Sequence, residues 1–173
     1  MSELFKDDTS FNSNINFWDT SNVIDMSYMF SRSFSFNQDI SKWDTSKLED
    51  MEGMFLQASS FNQYIGNWET SIVKNMSRVF REASSFNKDI ENWDASNVNS
   101  MSQMFMRAIE FNQLIGDWNT LKVTNMDNMF RKATSFNQDL SGWCISKIGS
   151  EPSFFSVNSP LENANKPIWG TCP

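Results

Sequence analysis

The sequence predicts an α/β solenoid with one short parallel strand and one short helix in each 25-residue coil, closed by a C-terminal cap. Three observations predict it. The dipeptide Phe-Asn recurs at Phe11, Phe36, Phe61, Phe86, Phe111 and Phe136, always 25 residues apart. Tryptophan keeps the same period at Trp18, Trp43, Trp68, Trp93, Trp118 and Trp143. The chain is polar, with a mean hydropathy of −0.48, yet holds 16 Phe, 7 Trp and 11 Met. So many large apolar side chains in a polar chain must be buried in a regular way.

Numbered from its Phe, the unit reads F-N-x-x-I-x-x-W-[DEN]-T-S-x-V-x-[DNS]-M-x-x-M-F-x-x-A-x-S. A unit this short cannot bury its own apolar face, but stacked units lay like on like into continuous ladders. Positions one, five, eight, thirteen, sixteen and twenty are the expected core. Positions two to six, as in Asn37-Gln-Asp-Ile-Ser41, read as the extended stretch, with the Ile inward and its neighbours outward. From position sixteen, M-x-x-M-F-x-x-A places apolar residues at i, i+3, i+4 and i+7, one face of a helix, for example Met76 to Ala83. Position fifteen before it is Asp25, Asp50, Asn75, Ser100 and Asn125, all good N-cap types. One strand and one helix per coil of this length is a leucine-rich-repeat-like architecture; a parallel β-helix is the competitor, and the capped helix argues against it. The repeat region is expected over 1–150, as a half unit at 1–10 and units starting at 11, 36, 61, 86, 111 and 136, with the cap at 151–173. All four prolines, Pro152, Pro160, Pro167 and Pro173, fall in that cap.

Composition excludes several functions. Net charge is −7, which opposes nucleic acid and anionic membranes. No apolar run is long enough to span a bilayer. There is no histidine, so the usual general base and commonest metal ligand are absent. Carboxylates recur by period rather than as a unique pair. No catalytic residue, cofactor or metal ligand is therefore assigned, and an enzyme is not expected.

Candidate surfaces come from positions that vary or stack. Asn12, Asn37, Asn62, Asn87, Asn112 and Asn137 at position two are expected to form a buried ladder that bonds to neighbouring coils, in preference to a binding row. The six tryptophans are expected as a core ladder. Position four runs Asn14, Asp39, Tyr64, Asp89, Leu114 and Asp139. Tyr64 and Leu114 break it, each two residues before a glycine, and with Asp39, Asp89 and Asp139 they make the candidate partner-binding face. Position nine stacks Asp19, Asp44, Glu69 and Asp94 ahead of Asn119. Local Asx turns are the expected relief for that row, and Ca²⁺ is the alternative. Thr20, Thr45, Thr70 and Thr120 at position ten form a row whose minor alternative use is ice binding.

The segment W-D-T-S-N-V-x-D-M-S-x-M-F, as it stands at Trp18 to Phe30, resembles the repeat of the BspA-like leucine-rich-repeat surface proteins. The resemblance runs from Met1 to about Ser150. It implies a secreted or surface-attached protein that adheres or binds protein, with no catalytic residues to carry over. In such an exported protein Cys144 and Cys172, which bracket the tail, are expected to form a disulfide; two free thiols in a reducing compartment are the alternative. The function expected is a non-enzymatic adhesion or protein-binding module whose partner is a protein or surface ligand. The alternative is a self-assembling structural module. Met1-Ser-Glu-Leu-Phe5 matches position sixteen onward, so the chain opens inside a repeat with no signal segment. An open end of that kind is expected to associate with another copy or to follow further sequence.

Overall fold

A computed structural model describes all 173 residues. Successive 25-residue segments stack as coils on one continuous core. The core is made by the expected ladders. Phe36, Phe61, Phe86, Phe111 and Phe136 are fully buried, as are Phe30, Phe55, Phe80, Phe105 and Phe130 at position twenty. Rings of position twenty stack on those one coil away at 5.6–5.7 Å between centroids. Those of position one do so at 5.8–6.0 Å. Within a coil the two Phe rings lie face to face, for example Phe30 on Phe36 at 3.8 Å. Ile at position five, Val or Leu at thirteen and Met at sixteen fill the remaining space, most of them with no exposed surface.

The backbone overturns the expected α/β architecture. No residue of the repeats is helical and no strand forms. The one regular element is a turn of 3-10 helix at Asn163–Asn165. None of the 72 backbone–backbone hydrogen bonds lies within a helix or strand. The M-x-x-M-F-x-x-A segment is a run of β-turns. Along it, amides alternate between two uses. Met29, Ser31 and Ser33 donate to Met26, Tyr28 and Phe30, three residues back. Tyr28, Phe30 and Arg32 donate instead to Glu52, Met54 and Leu56 in the next coil, at 2.7–2.9 Å. A helix would direct every amide to its own i−4 carbonyl; here half of them stitch coil to coil. Positions eighteen and twenty-two make the alternation possible by taking positive φ: Tyr28 at 54°, Arg32 at 62°, Gln57 at 59°, Arg78 at 60° and Glu82 at 60°. Inward side chains still fall at i, i+3, i+4 and i+7, so the apolar pattern is the same as a helix would show.

The expected strand at positions two to six is likewise absent. The only ladder of β-bridges is at position fifteen, where Asp25, Asp50, Asn75, Ser100 and Asn125 pair in parallel as isolated bridges. These are the residues read as helix N-caps. Their side-chain oxygens do accept an amide two residues on, such as Ser27 N–H to Asp25 Oδ1 at 2.8 Å. That bond closes an Asx turn, and no helix follows it.

Residues 151–173 extend the stack. Asn128, Phe130 and Lys132 donate to Ser153, Phe155 and Val157, one residue further on than in the repeats. Phe154 and Asn158 take the positive φ of positions eighteen and twenty-two. Phe155 meets Phe130 edge-on, 5.4 Å between centroids, and Trp169 meets Phe155 edge-on at 5.0 Å. Cys144 and Cys172 form a disulfide that ties the tail to the last repeat.

Candidate functional site

Each side chain that the repeat keeps constant has a stacking task. The indole N–H of Trp43, Trp68, Trp93, Trp118 and Trp143 donates to the position-five carbonyl of the preceding coil, Ile15, Ile40, Ile65, Ile90 and Ile115, at 2.9–3.3 Å. These tryptophans are buried, while Trp18 is half-buried. The Asn ladder forms without being buried. Asn12, Asn37, Asn62, Asn87 and Asn112 accept the backbone N–H of the next Asn through Oδ1 at 2.9–3.0 Å, and Asn137 accepts that of Glu162. Gln38, Gln63, Gln113 and Gln138 donate to the same oxygens. The ladder lies at or near the surface because its amides are part of the coil edge, which is a correction to the buried ladder expected.

The threonine row is not a surface. Thr20, Thr45, Thr70 and Thr120 are all at least 98% buried, which removes the flat exposed face that ice binding requires. Three of them donate to the next coil's position-nine carbonyl, Asp44, Asp94 and Cys144, at 2.9–3.2 Å. The Thr45 hydroxyl is buried without a partner.

The position-nine row turns on itself. Asp19, Asp44, Glu69, Asp94 and Asn119 each accept the backbone N–H two residues on at 2.8–3.2 Å. The Ser21 hydroxyl and then its amide hold the Asp19 carboxyl below the ordinary carboxylate range, and Ser46 does the same for Asp44. No three acidic groups of the molecule converge in the manner of a cation cage.

Position four carries the exposed residues. Asp39, Asp89 and Asp139 accept the amides of Ser41, Glu91 and Ser141 at 2.8–2.9 Å. The Ser41 amide, then its hydroxyl, lowers the Asp39 pKa, and Ser141 lowers that of Asp139 in the same way. Tyr64 and Leu114 cannot make that turn. They stand out from the coil, 49% and 57% exposed. Their glycines have a steric reason: a Cβ on Gly66 would sit 2.6 Å from the Asp89 carbonyl oxygen, and one on Gly116 would collide with that of Asp139. The bare backbone leaves a shallow, open concavity of about 370 Å³ beside Leu114, walled by Glu91, Asp117 and Asp139. The structure thus brings Leu114 and Asp139 to one hollow, with Tyr64, Asp39 and Asp89 along the same row of coils.

Two features escaped the row-by-row sequence reading. Phe17, at position seven, is 79% exposed on this side of the molecule. On the turn side, Gly53 has positive φ and leaves room for the Tyr28 ring, whose hydroxyl donates to Glu52. Arg78 completes that group, donating to Glu52 at 2.6 Å and to the Tyr28 oxygen at 3.2 Å. Burial, then the bond to Glu52, raises the Tyr28 pKa. The group ties three coils together; its sequence signal was a lone glycine at position eighteen.

The family described as Mycoplasma protein of unknown function, DUF285, matches residues 1–76 and 62–168. No curated protein and no solved structure matches the chain. The family agrees with the resemblance to BspA-like repeat proteins at the level of a repeat family. An intrachain disulfide fits an extracellular setting, and no helix is long and apolar enough to cross a membrane.

Proposed function

This chain belongs to the family of Mycoplasma proteins of unknown function, DUF285, and from that premise we propose that it is a non-enzymatic binding module of the cell surface or extracellular space. It engages a protein or surface ligand through the face that carries Tyr64 and Leu114. One observation supports this above the others. The constant residues are consumed in stacking, while two large apolar side chains are held in the open in the position-four row, which holds Asp or Asn in the other four coils. Large exposed anchors among polar residues are the usual centre of a binding patch. The polar groups of the molecule recur by period and make turns. No nucleophile–base pair is set against a developing charge, which favours binding over catalysis.

The test uses the whole chain, coated on beads and applied to cultured cells, against a Tyr64→Ala/Leu114→Ala variant. Loss of two anchors is expected to reduce attachment about tenfold or more with the melting temperature unchanged. Equal attachment by the two proteins would remove this face from the function.

A further inference from the structure

The charge of the molecule is concentrated on one side. Positions four to nine of the six coils hold nine carboxylates, Asp19, Asp39, Asp44, Glu69, Asp89, Glu91, Asp94, Asp117 and Asp139, against one lysine, Lys42, a charge of −8. The remainder of the chain has twelve carboxylates against thirteen cations, or +1, and so the whole net charge of −7 belongs to this side. Lys88 at position three and Lys47, Lys122 and Lys147 at position twelve border this stretch, and Lys47 favours the charged forms of Asp19 and Asp44 without a salt bridge. None of the nine carboxylates enters a salt bridge; all six salt bridges lie elsewhere. Amide and hydroxyl donors keep Asp19, Asp39, Asp44 and Asp139 ionised to below the ordinary carboxylate range.

Tyr64 and Leu114 project from this unpaired negative field. Asp89 occupies the coil between them, and Leu114 is the one hydrophobic side chain of a hollow otherwise bounded by Glu91, Asp117, Asp139 and small or amide residues. An occupant must bring both apolar surface and positive charge, since a neutral one would desolvate these carboxylates with no opposing charge. Tyr64 and Leu114 are two coils apart, and the position-one rings of the same coils repeat at 5.9–6.0 Å, so an occupant that reaches both must lie along the stack.

We propose that this face binds an extended, cationic polypeptide segment lying along the stack. Apolar side chains rest on Tyr64 and Leu114, and Lys or Arg side chains between them pair with Asp89, Asp139 and Glu91. The proposal rests on the binding-module reading above and gives that module its ligand class. Phosphate-rich ligands are repelled by the same field.

The probe is a fluorescent synthetic peptide of repeated Leu-Pro-Lys, with a Leu-Pro-Glu peptide as its opposite. The protein is used whole. Asp89→Asn/Asp139→Asn removes charge and keeps the turn acceptor, as Asn14 does naturally at position four. The Lys peptide is expected to bind, at least tenfold more weakly in the double Asn variant and more weakly as salt rises, while the Glu peptide does not bind. Equal binding of both peptides, indifference to the Asn substitutions, or no binding of the Lys peptide each overturns the cationic assignment. If cell attachment still depends on Tyr64 and Leu114 in those cases, the binding-module reading stands and only its ligand class falls. If attachment ignores them as well, both fall.

Discussion

The two sides of each coil hold their neighbours by different means. On the Met-Phe side the backbone does it: the amides of Gly53, Phe55 and Gln57 reach Ser77, Val79 and Arg81 in the next coil at 2.8–3.0 Å. On the Asn-Trp side, side chains contribute much of the stitching, through Asn Oδ1, Gln Nε2, Trp Nε1 and Thr Oγ1. The consequence is visible in the sequence. Outward position eighteen on the backbone-held side is occupied by Glu3, Tyr28, Gly53, Arg78, Gln103 and Asn128, six different residues. Positions two and eight on the other side are Asn and Trp in every coil. A backbone hydrogen bond places no demand on the side chain, whereas a side-chain hydrogen bond fixes the residue that makes it.

Substitutions break this comparison most sharply on the Asn-Trp side. Trp93→Phe removes the donor to the buried Ile65 carbonyl and leaves a void, and should cost about 2–4 kcal/mol in a denaturant titration. Asn87→Ala strips the acceptor shared by the Asn112 amide and Gln113, and should cost about 1 kcal/mol. A paired experiment on the threonine row sharpens the point. Thr70→Ala should cost about 1 kcal/mol, because its hydroxyl bonds to Asp94, whereas Thr45→Ala should cost clearly less, because that hydroxyl has no partner. Equal losses would mean that these hydroxyls stabilise by packing alone.

On the backbone-held side the expected sign reverses. Arg107 sits at φ 58°, exposed. Arg107→Gly should leave stability unchanged or raise it by up to about 1 kcal/mol, since relief of the left-handed strain offsets the entropy of the freer chain. A loss above that size would contradict the turn geometry at position twenty-two. The smallest expected effect is acid sensitivity. Asp19, Asp39, Asp44 and Asp139 have lowered pKa values in the folded chain, so their contribution is complete above the ordinary carboxylate value of 3.8 and is lost as pH falls below it. Asp50, raised by burial, acts in the opposite sense, but alone. The melting temperature should therefore decline from pH 5 to pH 3; a flat or rising profile would show that the Asx turns contribute nothing.

The stack and its core were legible in the sequence because periodic apolar positions state which residues meet. Phe30, Met51, Trp68 and Val73 are all where the period puts them. The helix was not, because Met76-x-x-Met/Val-Phe-x-x-Ala gives the same inward spacing for a helix and for consecutive β-turns. The destination of alternate amides separates the two, and that depends on a coil 24 residues away. Position fifteen reinforced the error, since an N-cap and an Asx turn use the same oxygen and the same amide. Positive φ at position eighteen was signalled only by Gly53 and Asn128, because Tyr28 and Arg78 there, and Arg32 at position twenty-two, are not the Gly or Asn that advertises it. For the candidate site, Tyr64 and Leu114 were legible as breaks in a row. The unpaired negative field was not, because it spans positions four to nine and appears only when the rows are laid side by side. The threonine row showed that periodicity identifies a ladder without saying which way it faces.

The central claim is that the Met-Phe segment is a run of turns stitched to the next coil. Scalar coupling across the hydrogen bond of the Phe55 amide, measured by NMR, tests it most directly. The structure predicts a coupling partner in the Val79 carbonyl of the following coil. Coupling to the Met51 carbonyl, four residues back in the chain, would restore the helix and contradict the account.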